Sequence, residues 1–132
     1  MAGQHEFMVL AVTYDRPEPR FTDPRFEPIK AAPPPGCEPF DCDGLFGLRC
    51  TRTADTLLDA VAEVCKEVLD EHGITMTDLG IEKLWEWSTD GRDGFGATIV
   101  GQLLLMASYR ARLLGYGTED LVRFLRTSNA TA

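Results

Sequence analysis

"LFGLRCTRTADTLLDAVAEVCKEVLDEHG", residues Leu45–Gly73, decides the fold class, because a strand pattern is followed at once by a helix pattern. In its first part, Phe46, Leu48 and Cys50 alternate with small or polar residues. This alternation is typical of a strand with one buried face. The chain therefore combines a sheet with helices that cover it.

The second part of the stretch predicts an amphipathic helix. Thr53 or Asp55 is expected to cap its start, and Gly73 is expected to end it. Most of its acids lie off the apolar stripe, which is formed by Leu57, Leu58, Val61, Cys65, Val68 and Leu69.

Towards the N-terminus, the run "HEFMVLAVTYD" is continuously apolar and rich in strand formers. We predict that residues Glu6–Tyr14 form a strand buried on both faces, and therefore a central one.

A proline-rich excursion, residues 16–43, follows this strand and holds all eight prolines, from Pro17 to Pro39. The tandem echo "PRFTD" and "PRFEP" places Phe21 and Phe26 in equivalent positions. These rings form either a partner-binding arm or an extended strap on the domain's own core. The strap is favoured, because an exposed arm with several aromatics makes a poor soluble segment.

After the helix, "IEKLWEWS" fits either a helix or a strand. We predict a strand over residues Lys83–Ser88, since this places Trp85 and Trp87 together on one buried face and Glu86 on the other. The following segment, Thr89–Gly96, is predicted to be a mobile loop.

The C-terminal part predicts two helices and a flexible tail at residues 127–132. The first helix ends at Gly115 and is apolar over much of its circumference from Ile99 to Leu114, as in a core or a subunit interface. The second, "TEDLVRFLR", is expected to be capped by Thr118.

Together these patterns predict an α+β fold in a single domain, residues 1–132. A small sheet of about three strands would be covered by one amphipathic helix and a C-terminal helical pair. The element order is compatible with a β-grasp core, an analogy of topology that implies no function.

The chain of 132 residues carries a net charge of −8. This acidity argues against binding to nucleic acid or to anionic membranes. Residues 51–94 hold 11 acids and four basic residues, whereas residues 95–132 hold two acids and four arginines. The asymmetry fits either solvated faces or a docking surface. With no signal peptide and no membrane-length apolar run, we expect a cytoplasmic protein.

Metal and cofactor sites are not predicted. The four cysteines, Cys37, Cys42, Cys50 and Cys65, lack the CxxC spacing of structural zinc sites. Cys50 and Cys65 fall on buried faces, and pairing of Cys37 with Cys42 is disfavoured in a reducing compartment. His5 and His72 are possible general bases, but a cap at a helix C-terminus is the favoured role of His72.

The best candidate for ligand binding is the loop "STDGRDGFG", whose three glycines would let the backbone approach a ligand. Its spacing matches no phosphate-binding motif, and its two acids would repel a phosphate. The alternative is a simple turn. Candidate ligand residues are Trp85, Glu86, Trp87, Asp90 and Asp93, with Glu86, Asp90 or Asp93 as an acid or base.

Two main functions follow. The first is a non-catalytic interaction or accessory module that binds a protein partner or self-associates through the Ile99–Leu114 helix; its candidate contact residues are Phe21, Phe26, Arg110 and Arg112. The second is a small-molecule-binding protein or enzyme with a pocket near Trp85 and Trp87. Nucleic-acid binding comes third, because it rests only on the arginines of the C-terminal region.

Overall fold

A computed structural model describes residues 2–13 and 17–129, and shows a small α+β fold. The strands are β1 (Gly3–Leu10), β2 (Cys37–Cys42) and β3 (Leu45–Ala54). The helices are α1 (Glu27–Ala31), α2 (Leu57–His72), α3 (Phe95–Leu113) and α4 (Thr118–Ser128), with single 3-10 turns at Pro24–Phe26 and Leu84–Glu86.

The three strands form an antiparallel sheet in the order β1-β3-β2. The prediction of a central N-terminal strand is wrong, because β3 takes that place. Leu10 is nevertheless buried, since its backbone exchanges hydrogen bonds with Thr77 (2.9 Å) and Asp78 (2.8 Å) on the other side of β1. The segment around Thr77 and Asp78 therefore covers the outer edge of β1 near Leu10, which explains why the apolar run of the sequence is continuous there. Tyr14, the predicted end of the strand, lies outside the described residues.

The proline-rich excursion contributes more structure than expected, since it contains α1, β2 and a 3-10 turn; Arg16, its first residue, is not described. β2 and β3 are joined by a two-residue hairpin in which Asp43 and Gly44 both have positive φ, +50° and +94°. An Asp-Gly pair is the usual choice for such a turn. This signal was present in the sequence and gives the third strand.

The core lies between the sheet and α2 and is closed at one end by the excursion. Phe26 stacks on Phe46 with ring centroids 4.5 Å apart. Phe21 lies further out, 6.0 Å from the same ring. Both rings therefore pack on the chain itself, as in the strap interpretation. The other fully buried residues of this region include Val9, Ile29, Leu48, Val64 and Val68.

The predicted amphipathic helix ending at Gly73 is confirmed as α2, with Gly73 in the left-handed conformation at its C-terminus. Its cap is Thr56, whose hydroxyl accepts from the Asp59 amide at 3.1 Å, and not Thr53 or Asp55. Thr53 cannot serve because β3 continues to Ala54.

The long apolar helix is confirmed as α3, but only one of its sides is buried. Gln102, 1% exposed, fixes that side to the segment before the tryptophans. Its Oε1 accepts from the Leu79 amide at 2.6 Å, and its Nε2 donates to Asp78 at 2.8 Å.

The last helix, α4, contributes no buried residue, so α2 gives the sheet its main cover. Asp120 accepts from the Gly117 amide at 2.8 Å and so caps the helix in place of Thr118. The helix extends to Ser128, two residues into the predicted tail, and residues 130–132 are not described. Within the described residues no strand follows α2, so the order of a β-grasp core is not found.

Candidate interaction surface

The tryptophan segment is neither a strand nor buried. Residues Leu84–Glu86 form one 3-10 turn, and the side chains of Trp85 and Trp87 are 78% and 54% exposed. The predicted strand over Lys83–Ser88 is therefore wrong. A strand needs a neighbour, and the chain turns away from the sheet at Gly80, where φ is +78°.

Asp90 and Asp93 are helix caps. The Asp90 carboxylate accepts from the amides of Phe95 (2.8 Å) and Gly96 (3.0 Å) at the start of α3. The amides of Gly96 and Phe95 also lower the pKa of Asp90. Asp93 accepts from the Leu57 amide at 2.7 Å, at the start of α2. The predicted mobile loop is thus a connection that ties together the N-termini of two helices.

A cavity of about 500 Å³ lies beside Trp87, against the first turns of α2 and α3. Trp85, Asp90 and Asp93 do not line it, and Glu86 lines a separate cavity of about 260 Å³. The five predicted ligand residues are therefore not brought together. The larger cavity is lined by Thr56, Leu58, Trp87, Ser88, Thr89, Gly91, Arg92, Gly96, Ala97 and Val100.

The outer side of α3 carries a second apolar stripe that faces solvent. Val100, Leu103, Leu104, Ala107 and Leu114 recur at intervals of three, four and seven, which places them on one side of a helix. All five are exposed, Leu103 and Leu104 to 47% each. The opposite side holds Gln102 and packs on the protein. One side of α3 thus packs on the protein, whereas the other side exposes apolar residues to solvent.

The α4 helix carries further exposed apolar residues. Phe124 is 68% exposed, and Tyr116 and Leu125 are also exposed. Phe124, Tyr116 and Leu121 help to line a groove of about 530 Å³ on α4. We call the exposed apolar residues of the α3 stripe, of the connection to α4 and of α4 the α3–α4 face; they are Val100, Leu103, Leu104, Leu114, Tyr116, Phe124 and Leu125.

The α3–α4 face and the tryptophan segment meet at Val100. This side chain belongs to the exposed stripe of α3 and also lines the cavity beside Trp87. The two regions that drew attention in the sequence therefore adjoin each other.

The four residues predicted to contact a partner lie in different places. Phe26 is buried, and Phe21 is half-buried beneath the Lys30 ammonium, 4.0 Å from its ring centroid. Arg110 and Arg112 lie in the last turns of α3, where Arg112 reaches Thr75 Oγ1 at 3.4 Å. Only the arginines adjoin the α3–α4 face.

Sequence reasoning missed the contribution of α4 and the role of Gln102. The exposed stripe had a signal, since residues 100, 103, 104 and 107 repeat with helical period on the side opposite Gln102. A lone polar residue within an apolar helix marks the side where its amide finds partners.

The two histidines make backbone contacts: His72 Nε2 lies 3.2 Å from the Ala32 oxygen, and His5 Nε2 lies 3.1 Å from the Ala54 oxygen. Within residues 2–13 and 17–129, no three His, Cys, Asp or Glu residues are grouped to hold a metal ion. In the same described part of the chain, no helix is both long and apolar enough to cross a membrane.

Comparison with known proteins provides no assignment: no family model, curated protein or solved structure matches this chain.

Proposed function

We propose that this protein is a non-catalytic interaction module that self-associates through the α3–α4 face. The observation that supports this most strongly is the exposed leucine stripe of α3, followed along the chain by a helix with no buried residue. Exposed apolar patches mark interaction sites on soluble proteins.

The α4 helix itself argues for a partner. It has 11 residues, and isolated helices shorter than about 12–15 residues are marginal in water. Helices of this length depend on packing of an apolar side, and Phe124 and Leu125 remain exposed in a single chain. A partner that covers these side chains would supply the missing packing.

The charges of α4 suit a second copy of the same helix. Glu119 lies in its first turn and Arg126 in its last turn, and the other acid of the first turn, Asp120, is paired with Arg123 of the same helix. An antiparallel copy would place the acidic turn of each helix beside the basic turn of the other. A two-fold dimer makes each such contact twice, so the complementarity needs no other protein.

The test compares two leucines of similar exposure on different helices, Leu103 on α3 (47%) and Leu69 on α2 (43%). Sedimentation equilibrium of the unaltered chain should give twice the monomer mass of 14.6 kDa at micromolar concentration. Leu103→Glu should give the monomer mass, because it places a charge in the contact, and Leu69→Glu should remain dimeric.

A monomer mass for the unaltered chain at all concentrations would contradict self-association. Equal behaviour of the two leucine variants would contradict the choice of face. Circular dichroism of each variant confirms that a monomer mass comes from a folded chain.

The cavity beside Trp87 supports a second candidate, the binding of a small apolar molecule. Its volume of about 500 Å³ falls within the range of ligand pockets, and an aromatic ring forms one wall. Titration with a hydrophobic fluorescent dye tests this function. Trp87→Ala should weaken dye binding whereas Trp85→Ala should not, since Trp85 lies outside the cavity. Equal affinities in both variants would contradict this second function.

A further inference from the structure

The register of the β2–β3 hairpin places Cys37 opposite Cys50. The neighbouring Thr51 amide donates to the Gly36 carbonyl (2.9 Å), and the Cys37 amide donates to the Pro34 carbonyl (3.0 Å). This is the pattern of a non-hydrogen-bonded antiparallel pair, in which the Cα atoms are about 4.5 Å apart and the side chains are on the same face. That spacing lies within the range that a disulfide bridges.

Cys42 cannot take part in this pairing. It lies five positions along the same strand from Cys37, a distance of roughly 16 Å in extended chain. An odd offset along a strand also places its side chain on the opposite face. The pairing of Cys37 with Cys42 considered from the sequence is therefore ruled out within one folded chain.

The surroundings of the pair divide the two thiols into different roles. Cys37 begins the edge strand β2 and is half-buried, whereas Cys50 is buried in the central strand. The neighbouring Cys50 thiol lowers the pKa of Cys37, and the Arg52 guanidinium acts in the same direction. Arg52 is held in place by an ion pair with Glu67 of α2. The pKa of Cys50 is raised, first by Cys37 and then by burial.

We propose that Cys37 and Cys50 form a redox-active dithiol, which a hydroperoxide converts into a disulfide across the β2–β3 hairpin. This site is independent of the α3–α4 face, because it lies between the sheet and α2. The more accessible Cys37 is the attacking thiol, and Cys50 resolves the product.

In the first step, the Cys37 thiolate attacks the peroxide oxygen; the O–O bond breaks, a proton is taken up, and Cys37 sulfenic acid and an alcohol (water for hydrogen peroxide) form. In the second step, the Cys50 sulfur attacks the sulfenic sulfur. The S–O bond breaks, the S–S bond forms, and the Cys50 proton leaves with the hydroxyl as water. The two thiols supply the two electrons that reduce the peroxide, and an external dithiol reverses the reaction.

The test exposes the reduced full chain to an equimolar amount of hydrogen peroxide, blocks the remaining thiols with N-ethylmaleimide and maps tryptic peptides by mass. Cleavage after Lys30, Arg49 and Arg52 places Cys50 in its own peptide, separate from Cys37 and from Cys65. We expect the peptide of residues 31–49 to be joined to the peptide of residues 50–52, and dithiothreitol to release them.

Variants assign the bond. Because Cys42 lies in the same tryptic peptide as Cys37, the variant Cys42→Ser shows which of the two forms the bond, and it should retain the cross-link. Cys65→Ser should retain it as well. Cys37→Ser should abolish it. Cys50→Ala keeps the buried site apolar, and here the Cys37 sulfenic acid should persist and react with dimedone.

Four alkylated thiols in the peroxide-treated chain would overturn the proposal. A bond from Cys37 to Cys65 would also overturn it. Such a bond is not expected, because burial raises the pKa of Cys65 to about 11 and keeps this thiol protonated. The mapping of the unaltered chain decides the question even if the Cys50 variant fails to fold.

Discussion

The helices α2 and α3 are both long and rich in apolar residues, but the chain covers them to different extents. The apolar side of α2 is buried apart from Leu69 near its end, whereas α3 has two apolar sides and only one of them is covered. One side of α3 packs on α2 and on residues 78–81, and the other, from Val100 to Leu114, faces solvent. Periodicity thus shows which residues share a face, but not which faces find cover within the chain.

The largest contrast is expected between two phenylalanines. Phe26→Ala should lower the free energy of unfolding by about 3–5 kcal/mol, because it removes a fully buried ring stacked on Phe46. Phe124→Ala, at a 68% exposed site, should change the stability of the monomer by about 0.5 kcal/mol or less. Urea unfolding at submicromolar concentration measures both. Equal losses would show that α4 packs on its own chain.

Gln102 separates the two sides of α3, so its loss should weaken the attachment of this helix to the core. Gln102→Leu should cost about 1–3 kcal/mol, because the buried Leu79 amide loses its acceptor. Urea unfolding against the exposed control Gln4→Leu provides the measurement. A stability unchanged by Gln102→Leu would mean that the Leu79 amide finds another acceptor.

The cap that Asp90 forms at the start of α3 should make the stability of the protein depend on pH in acid. The amides of Gly96 and Phe95 lower the pKa of Asp90 in the folded protein. The ionised Asp90 carboxylate therefore stabilises the fold fully at pH values above the pKa of the unfolded state. That contribution is lost as the pH falls from about 3.8 through the lower pKa of the folded state. Acid titration of unfolding should therefore give a shallower loss below pH 4 for Asp90→Asn than for Asp59→Asn. Identical titrations of the two variants would exclude a capping role for Asp90.

The smallest effect is expected at Trp85. Since its side chain is 78% exposed, Trp85→Ala should change stability by no more than about 0.5 kcal/mol. Iodide should quench the fluorescence of Trp85 in Trp87→Phe more strongly than that of Trp87 in Trp85→Phe. A loss of several kcal/mol in the free energy of unfolding for Trp85→Ala would show that this ring is buried, as predicted from the sequence.

Much of the fold follows from local pattern. The strand at Phe46–Cys50, the helix ended by Gly73 and the apolar helix ended near Gly115 were all predicted, because each depends on its own residues. The Asp43–Gly44 pair is also a hairpin signal. It predicts β2 as the third strand, in place of the strand wrongly assigned to Lys83–Ser88.

The remainder depends on contacts between distant segments. Tryptophans alternate in "LWEW" as they would in a strand, but the free edge of β1 is occupied near Leu10 by Thr77 and Asp78. Asp93 resembles a ligand residue until the fold brings the start of α2 to it, 36 residues earlier in the chain. The α3–α4 face could be expected only in part, since an over-apolar helix does not show which side remains uncovered.

Amide hydrogen exchange at two protein concentrations shows whether a second copy covers the α3–α4 face. Amides of α4 should exchange much more slowly at a high micromolar concentration than at a low nanomolar one, while those of α2 should exchange equally at both. Leu103→Glu should remove the difference and Leu69→Glu should retain it. Exchange in α4 that is independent of concentration would show that no second copy covers this face.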